Sequence, residues 1–149
     1  MNIFEELGKY DVIIMSGIPG SGKSFLAKMA YRRICSADES MYEDGVYKFH
    51  PDKLSGAHKS CMSKFLDALK EGKPCLIDNT NIEAWEISPY YAVAEAMGAS
   101  VCILQVNCDP EVAFKRNTHD VPARTINRMA NRLANRHLPP HWKVIQIDN

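Results

Sequence analysis

Residues Gly17-Ile18-Pro19-Gly20-Ser21-Gly22-Lys23-Ser24 follow the spacing G-x-x-x-x-G-K-[ST], which suits a loop wrapped around phosphate groups. Glycines let successive backbone N–H groups turn inward around anionic oxygens, and a helix beginning at the loop's end adds partial positive charge. Lys23 has the length to reach the β- and γ-phosphates of a nucleoside triphosphate, and the Ser24 hydroxyl can hold Mg²⁺. The candidate nucleotide-binding set is therefore Gly17, Pro19, Gly20, Ser21, Gly22, Lys23, Ser24 and Phe25, with Arg116 reaching in from a later segment. No Asn-Lys-x-Asp guanine signature occurs, so ATP is expected rather than GTP.

Two carboxylates complete a phosphotransfer constellation. Asp78 closes the apolar run Pro74-Cys75-Leu76-Ile77 and is placed to hold Mg²⁺ beside Ser24, directly or through water. Asn79 follows it, where ATPases that hydrolyse carry a water-activating Glu; transfer to an acceptor other than water is favoured. Asp38 lies where a base would take the proton of an acceptor hydroxyl, with the adjacent Glu39 as the alternative. Arg116 stands just before the turn Asn117-Thr118-His119-Asp120-Val121-Pro122, a lid position from which a guanidinium would neutralise charge on the transferring phosphoryl group. The catalytic candidates are thus Lys23, Asp38 and Arg116, and the metal candidates are Ser24 and Asp78.

These residues need elements to position them. Asp11 to Ser16 reads as a buried strand and Ser24 to Ile34 as a helix with Phe25, Leu26, Met29, Ala30 and Ile34 along one face. Cys35-Ser36-Ala37 reads as a short second strand, and the polar, turn-rich stretch 42–57 as a loop or mobile insert. A helix over Ala57–Lys70, stopped by Gly72, leads to the strand ending at Asp78. A helix from Trp85 to Met97, a strand from Ser100 to Val106, helices from Asp109-Pro110 to Arg116 and from Pro122 to Asn135, and a strand over Trp142–Ile147 complete the order. Strands alternating with helices predict an α/β, three-layer P-loop NTPase fold, with a parallel sheet of about five strands in the nucleoside-monophosphate-kinase arrangement and a helical lid. Ser16, Asp38, Asp78 and Asn107 would gather beyond the strands' carboxyl ends, where such sheets bind ligands.

At 149 residues the chain is expected to form one domain, with the lid over about 116–136. Apolar residues make up 46% and no run approaches a membrane span, so no membrane partner is expected. The acidic start Asn2-Ile3-Phe4-Glu5-Glu6 lacks a signal peptide's basic region, and five cysteines without C-x-x-C spacing suit a reducing, cytoplasmic setting without disulfides or zinc. A net charge of zero argues against bulk electrostatic attraction to nucleic acid. Arg124, Arg128, Arg132 and Arg136 nevertheless form an i, i+4 stripe on a helix with no carboxylate, so they must find anions elsewhere. Arg132 and Arg136 are expected to be solvated or paired with acids.

In this order the pieces resemble the kinase domain of P-loop polynucleotide 5′-hydroxyl kinases of phage and animal repair enzymes. The resemblance rests on Gly17–Ser24, Ser36-Ala37-Asp38, Tyr47-Lys48-Phe49, Ile77-Asp78-Asn79-Thr80-Asn81 and Arg116-Asn117 with Val121-Pro122. It implies transfer of the ATP γ-phosphate to a 5′-hydroxyl end of RNA or DNA, with Asp38 as general base and Arg116 on the ATP phosphates. The chain departs from the phage pattern at Met41, where those kinases carry an acceptor-binding Arg, at Asn79, and in lacking a second lid Arg close behind Arg116. Lys48, Lys53, His58 and Lys59 are candidates to replace the missing acceptor contact. No Asp-x-Asp-x-Thr occurs, so the 3′-phosphatase partner domain of the repair enzymes is not expected. A small-molecule or nucleotide kinase and a non-catalytic nucleotide-binding module stay open as alternatives.

Overall fold

Strand β1 (Val12–Ser16) is buried along its whole length and pairs in parallel on both sides. Ile13 lies opposite Leu76 of β5 (Cys75–Ile77) on one side and Cys102 of β6 (Val101–Asn107) on the other. With β2 (Arg33–Cys35) beyond β5 and β7 (Val144–Asp148) beyond β6, the sheet runs β2-β5-β1-β6-β7, every pairing parallel. Both faces are covered, which is why the central strands read as continuous apolar runs rather than alternating ones. Val12 and Ile14 face Cys61 and Phe65 of α3 (Leu54–Glu71) and Ile87 and Tyr90 of α4 (Ala84–Ala96). Ile13 and Met15 face Leu7 of α1 (Ile3–Leu7) and Ala27 of α2 (Lys23–Met29). The three layers and five parallel strands agree with the fold expected from the sequence.

This computed structural model describes residues 2–38 and 42–149, with Tyr42 described in its backbone only. Glu39 and Met41, the alternative base and the position of the missing arginine, lie outside the described residues.

Three local expectations are corrected. The helix after the glycine loop stops at Met29 rather than Ile34: Tyr31 turns the chain with a φ of 52°, and Arg33–Cys35 is drawn into the sheet beside Cys75–Ile77. Of the residues read along one face of it, Phe25 and Met29 are exposed, and Ala27 is buried instead. Strand β2 accordingly lies two residues earlier than Cys35-Ser36-Ala37, leaving Ser36 to Asp38 as the loop beyond the strand end. The stretch 42–57 is no plain loop. Tyr42–Glu43 (β3) pairs with Val46–Tyr47 (β4) across Asp44-Gly45, whose φ values of 51° and 79° make the two-residue turn a tight hairpin needs. A 3₁₀ turn at Pro51–Lys53 then leads into α3. Helix α1, capped by the Asn2 side chain on the Phe4 N–H at 2.7 Å, has no counterpart in the sequence reading.

Beyond β6, Asp109 caps α5 (Pro110–Arg116) by accepting from the Glu111 N–H at 2.8 Å. Helix α6 (Ala123–Asn135) packs against α5, with Ile126 and Ala113 closing a cluster around Ile18 and Ile82. No helix among the described residues is long and apolar enough to cross a membrane.

Candidate functional site

The glycine loop joins β1 to α2 and rests on its neighbours in a way that fixes which residues it can contain. Gly20 has φ 82° and sits against α5: a Cβ there would collide with the Ala113 carbonyl oxygen. Gly22 has φ 96°, and a Cβ there would run into the Asn149 side-chain amide, which donates to the Ser21 carbonyl at 2.7 Å. The Gly17 N–H is held by the Thr80 carbonyl at 2.9 Å. Inside the curl, the Lys23 Nζ donates to the Ile18 carbonyl at 2.9 Å, and the buried Ser21 Oγ has no hydrogen-bond partner among the described residues. An unpartnered buried hydroxyl beside a buried ammonium is the lining an anion fits. Burial pulls Lys23 down to about 8, against the opposing attraction of Asp78 and then Asp38. Since α2 has only seven residues, its contribution to anion binding is the free N–H groups of its first turn (Lys23, Ser24, Phe25).

Asp78 emerges from β5 next to that turn, and its Oδ2 accepts from the Ser24 Oγ at 2.9 Å. Burial raises the Asp78 carboxyl above its ordinary value, countered by Lys23 and the Ser24 bond. Two hard oxygen donors side by side, one of them a desolvated carboxylate, suit a small divalent cation such as Mg²⁺. Asp38 extends from the loop beyond β2 with its side chain half-exposed, near enough to act on the charges of Lys23 and Asp78. Its backbone is fixed from two sides: the Asp38 N–H by Ser36 Oγ at 3.2 Å, and the Ala37 N–H by the Asn79 Oδ1 at 2.9 Å. Arg116 ends α5 one turn beyond Ala113, with its residue surface exposed. Phe25 keeps its ring 69% exposed, leaving its backbone as the part that faces the loop.

A family model described as "AAA domain" (AAA_33) matches residues 12–135, which spans the glycine loop, Asp38, Asp78 and helices α5 and α6. The chain belongs to this P-loop kinase family. NEDD4-binding protein 2 of Homo sapiens is 34% identical over 128 residues, covering 79% of this chain and 7% of that protein. An Acanthamoeba polyphaga mimivirus protein, named as a bifunctional polynucleotide phosphatase/kinase, is 37% identical over 73 residues, covering 49% of this chain and 15% of the relative. The chain thus spans less than a sixth of the length of either. Among solved structures, the Pnkp1/Rnl/Hen1 RNA repair complex superposes with a TM-score of 0.69 at 20% identity, over 83% of this chain and 43% of that one. A sugar kinase from Janibacter sp. HTCC2649 gives 0.65 at 17% identity, over 92% and 84%. At these identities both report the fold alone.

Within this P-loop kinase domain several residues carry more than the sequence suggested. Arg136 was expected to be solvated or acid-paired, as Arg132 is at 3.9 Å from Glu83. Instead its guanidinium turns inward past the end of α6. It donates to Ser16 Oγ (2.6 Å), Gln105 Oε1 (2.8 Å), Ile82 O (3.0 Å) and Asn81 O (3.1 Å). Burial pulls it down to about 10, so it is still charged at neutral pH. Ser16 is consequently part of this knot under the glycine loop, donating to the Asn81 carbonyl at 2.8 Å, and Asn107 bonds Gln105, Gln146 and Asp148. Lys48 and Lys53 turn toward Glu43, at 3.8 and 3.0 Å, and Lys53 foremost holds that carboxylate below its usual range. His58 and Lys59 are exposed on α3. His119 of the lid turn stacks on Tyr47 of the hairpin, ring centroids 3.8 Å apart. The one available sign of this was a histidine in the turn after Arg116; its partner lies too far upstream for spacing to reveal.

Proposed function

We propose that this domain is an ATP- and Mg²⁺-dependent phosphotransferase that moves the γ-phosphate to a 5′-hydroxyl end of RNA or DNA. The observation that carries the reading is the use made of Asn79. The residue after the metal-side carboxylate, where a hydrolysing enzyme positions water, here accepts from Ala37 N–H and so holds the loop that presents Asp38. A carboxylate so placed, beside the charges of Lys23 and Asp78, suits a hydroxyl acceptor better than bulk water.

In this reading the loop amides, Ser21 Oγ and Lys23 bind the triphosphate, and Ser24 and Asp78 hold Mg²⁺. When bound, the cation would neutralise charge on the triphosphate. Asp38 takes the proton of the acceptor hydroxyl as that oxygen bonds to the γ-phosphorus and the β–γ bridging oxygen leaves with ADP. Lys23 and Arg116 offset the negative charge that spreads over the phosphoryl oxygens. The polynucleotide acceptor is supported by the motifs shared with 5′-hydroxyl kinases and by the mimivirus relative's name. A second reading, a small-molecule hydroxyl as acceptor, draws on the sugar-kinase likeness in fold.

One assay discriminates: γ-labelled ATP offered in parallel to 5′-OH RNA and DNA oligonucleotides, nucleosides, nucleotides and sugars. The expected result is label on oligonucleotide ends, reduced about 10²-fold or more by Asp38→Asn with ATP affinity retained. Label on monomers alone would refute the polynucleotide reading. ATP binding with no label on any acceptor would refute phosphotransfer itself.

A further inference from the structure

We infer that His119 is a positioning residue, a latch that fixes the lid turn over Asp38 by stacking on Tyr47. The inference rests on the phosphotransfer reading above and deepens it. Three segments far apart in sequence meet at this point. Tyr47 of β4 packs on Ala37 and Ala57, which places its side chain beside the segment that presents Asp38. That backbone is fixed in turn by Asn79 at the Ala37 N–H. The imidazole of His119 lies flat on Tyr47, with an interplanar angle of 9°.

The lid turn is built to transmit this contact. The Asn117 side chain brackets it, accepting from the His119 N–H at 3.0 Å and donating to the Val121 carbonyl at 3.2 Å. Asp120 takes a φ of 56° to close it. Thr118 and Asp120 on either side are exposed, whereas the His119 side chain is only 26% exposed. Arg116 precedes His119 by three residues, so a ring held on Tyr47 also constrains the chain that leaves the α5 end. A continuous chain of contacts thus runs from Asn79 through Ala37 and Tyr47 to His119, tying the lid turn to the loop that bears the base.

The ring's polar edge argues for positioning rather than proton transfer. His119 Nδ1 is 3.9 Å from Asp38 Oδ2, close enough for charge attraction and too long for a hydrogen bond. No hydrogen bond among the described residues engages the Asp38 carboxylate, which leaves its oxygens to the acceptor hydroxyl, while the stack supplies the holding force. A ring pair of this kind biases an open–closed equilibrium by roughly 3- to 10-fold.

The test compares His119→Ala, Tyr47→Ala, the double variant and His119→Phe, which keeps an aromatic face and removes the ring nitrogens. Melting temperature and ATP binding serve as folding controls. His119→Ala and Tyr47→Ala should each lower kcat by roughly 3- to 10-fold with the KM for ATP little changed, the double variant should be no worse than either, and His119→Phe should recover most of the rate. Losses that multiply in the double variant, a rate that rises on removing the ring, or His119→Phe as slow as His119→Ala would each overturn the latch. Amide exchange over residues 117–122 gives a readout independent of transfer: both alanine variants should exchange roughly 3- to 10-fold faster than the parent and His119→Phe should not. If the parent chain labels no acceptor, the phosphotransfer reading fails while the exchange pattern still decides the latch; unchanged exchange in both alanine variants overturns the latch whatever the activity.

Discussion

Arg132 and Arg136 are successive members of one i, i+4 stripe, yet replacing each with alanine should give very different results. Arg132 is exposed and faces Glu83 at 3.9 Å, an arrangement that contributes about 0–1 kcal/mol. Arg136 donates to four oxygens between 2.6 and 3.1 Å, none of them a carboxylate. Bonds from a charged donor are worth roughly 1.5–3 kcal/mol each before the cost of desolvating the guanidinium, which is itself several kcal/mol. Truncation also strands the Ile82 carbonyl and the Gln105 amide oxygen, at about 1–3 kcal/mol for each group left without water, while the Asn81 carbonyl keeps its bond from Ser16 Oγ. The net loss for Arg136→Ala is about 3 kcal/mol, or roughly 6–12 °C in melting temperature for a domain of this size. Arg136→Lys keeps the charge but not the planar fork and should lose about half as much. Because Ser16 and Asn81 underlie the glycine loop, ATP affinity should fall together with stability. Urea denaturation of the three variants reads the first effect and titration with ATP the second. Arg136→Ala within about 0.5 kcal/mol of Arg132→Ala would refute the reasoning, since it would mean that water replaces the guanidinium without cost.

Two further predictions concern the site itself. Lys23 is held at about 8 by burial, below its ordinary 10.5. Between those values the unfolded chain binds the proton and the folded chain does not, so stability should rise with pH across this window, and Lys23→Met should flatten the rise. A bound triphosphate restores the ammonium, so ATP binding near pH 9 should take up about one proton, measured by calorimetry in buffers of differing ionisation enthalpy; no uptake at that pH would count against Lys23 as the phosphate ligand. Asn79→Asp keeps an oxygen for the Ala37 N–H but loses the donor to Cys61 Sγ and adds a charge beside Asp38 and Asp78. We expect kcat to fall by about 10-fold with the KM for ATP little changed, whereas Asn79→Ala should also cost about 1–2 kcal/mol in urea denaturation.

The donor half of the site was legible because its information is local. Strand, glycine loop and helix start lie within some twenty consecutive residues, and Asp78 is marked by the apolar strand it ends. The buried strands were equally plain, since a parallel sheet covered on both faces needs unbroken apolar runs. What escaped depends on contacts made elsewhere. Ile34 continues the apolar period of α2, and only pairing with Leu76 makes it a strand residue. Arg136 carries the stripe's spacing, but the helix ends at Asn135 and its backbone swings to ψ 152°, which re-aims the side chain at the sheet. The Tyr47–His119 stack joins a hairpin to a lid turn, and neither predicts the other.

The four residues Asp78 to Asn81 show how the two halves are connected. Asp78 holds Ser24, Asn79 holds Ala37, the Thr80 carbonyl holds Gly17, and Asn81 donates to the Met15 carbonyl while its own carbonyl accepts from Ser16 and Arg136. Successive residues thus reach the start of α2, the loop that bears Asp38, the glycine loop and the end of β1. Asp78, Thr80 and Asn81 reach the glycine-loop side and Asn79 the Asp38 side, because β5 lies between β1 and β2. The donor side is backed by the sheet, the Arg136 knot and the packing of Gly20 on α5. Among the described residues, the acceptor side is held by Asn79, the Ser36 Oγ bond to the Asp38 N–H, the β3–β4 hairpin and the Tyr47–His119 stack. Under the proposed reading, a common donor half with a separately built acceptor half would let one fold serve different hydroxyl acceptors. On that reading, exchanges within residues 36–38, 42–59 or 117–122 should alter which hydroxyl is labelled while leaving ATP binding intact.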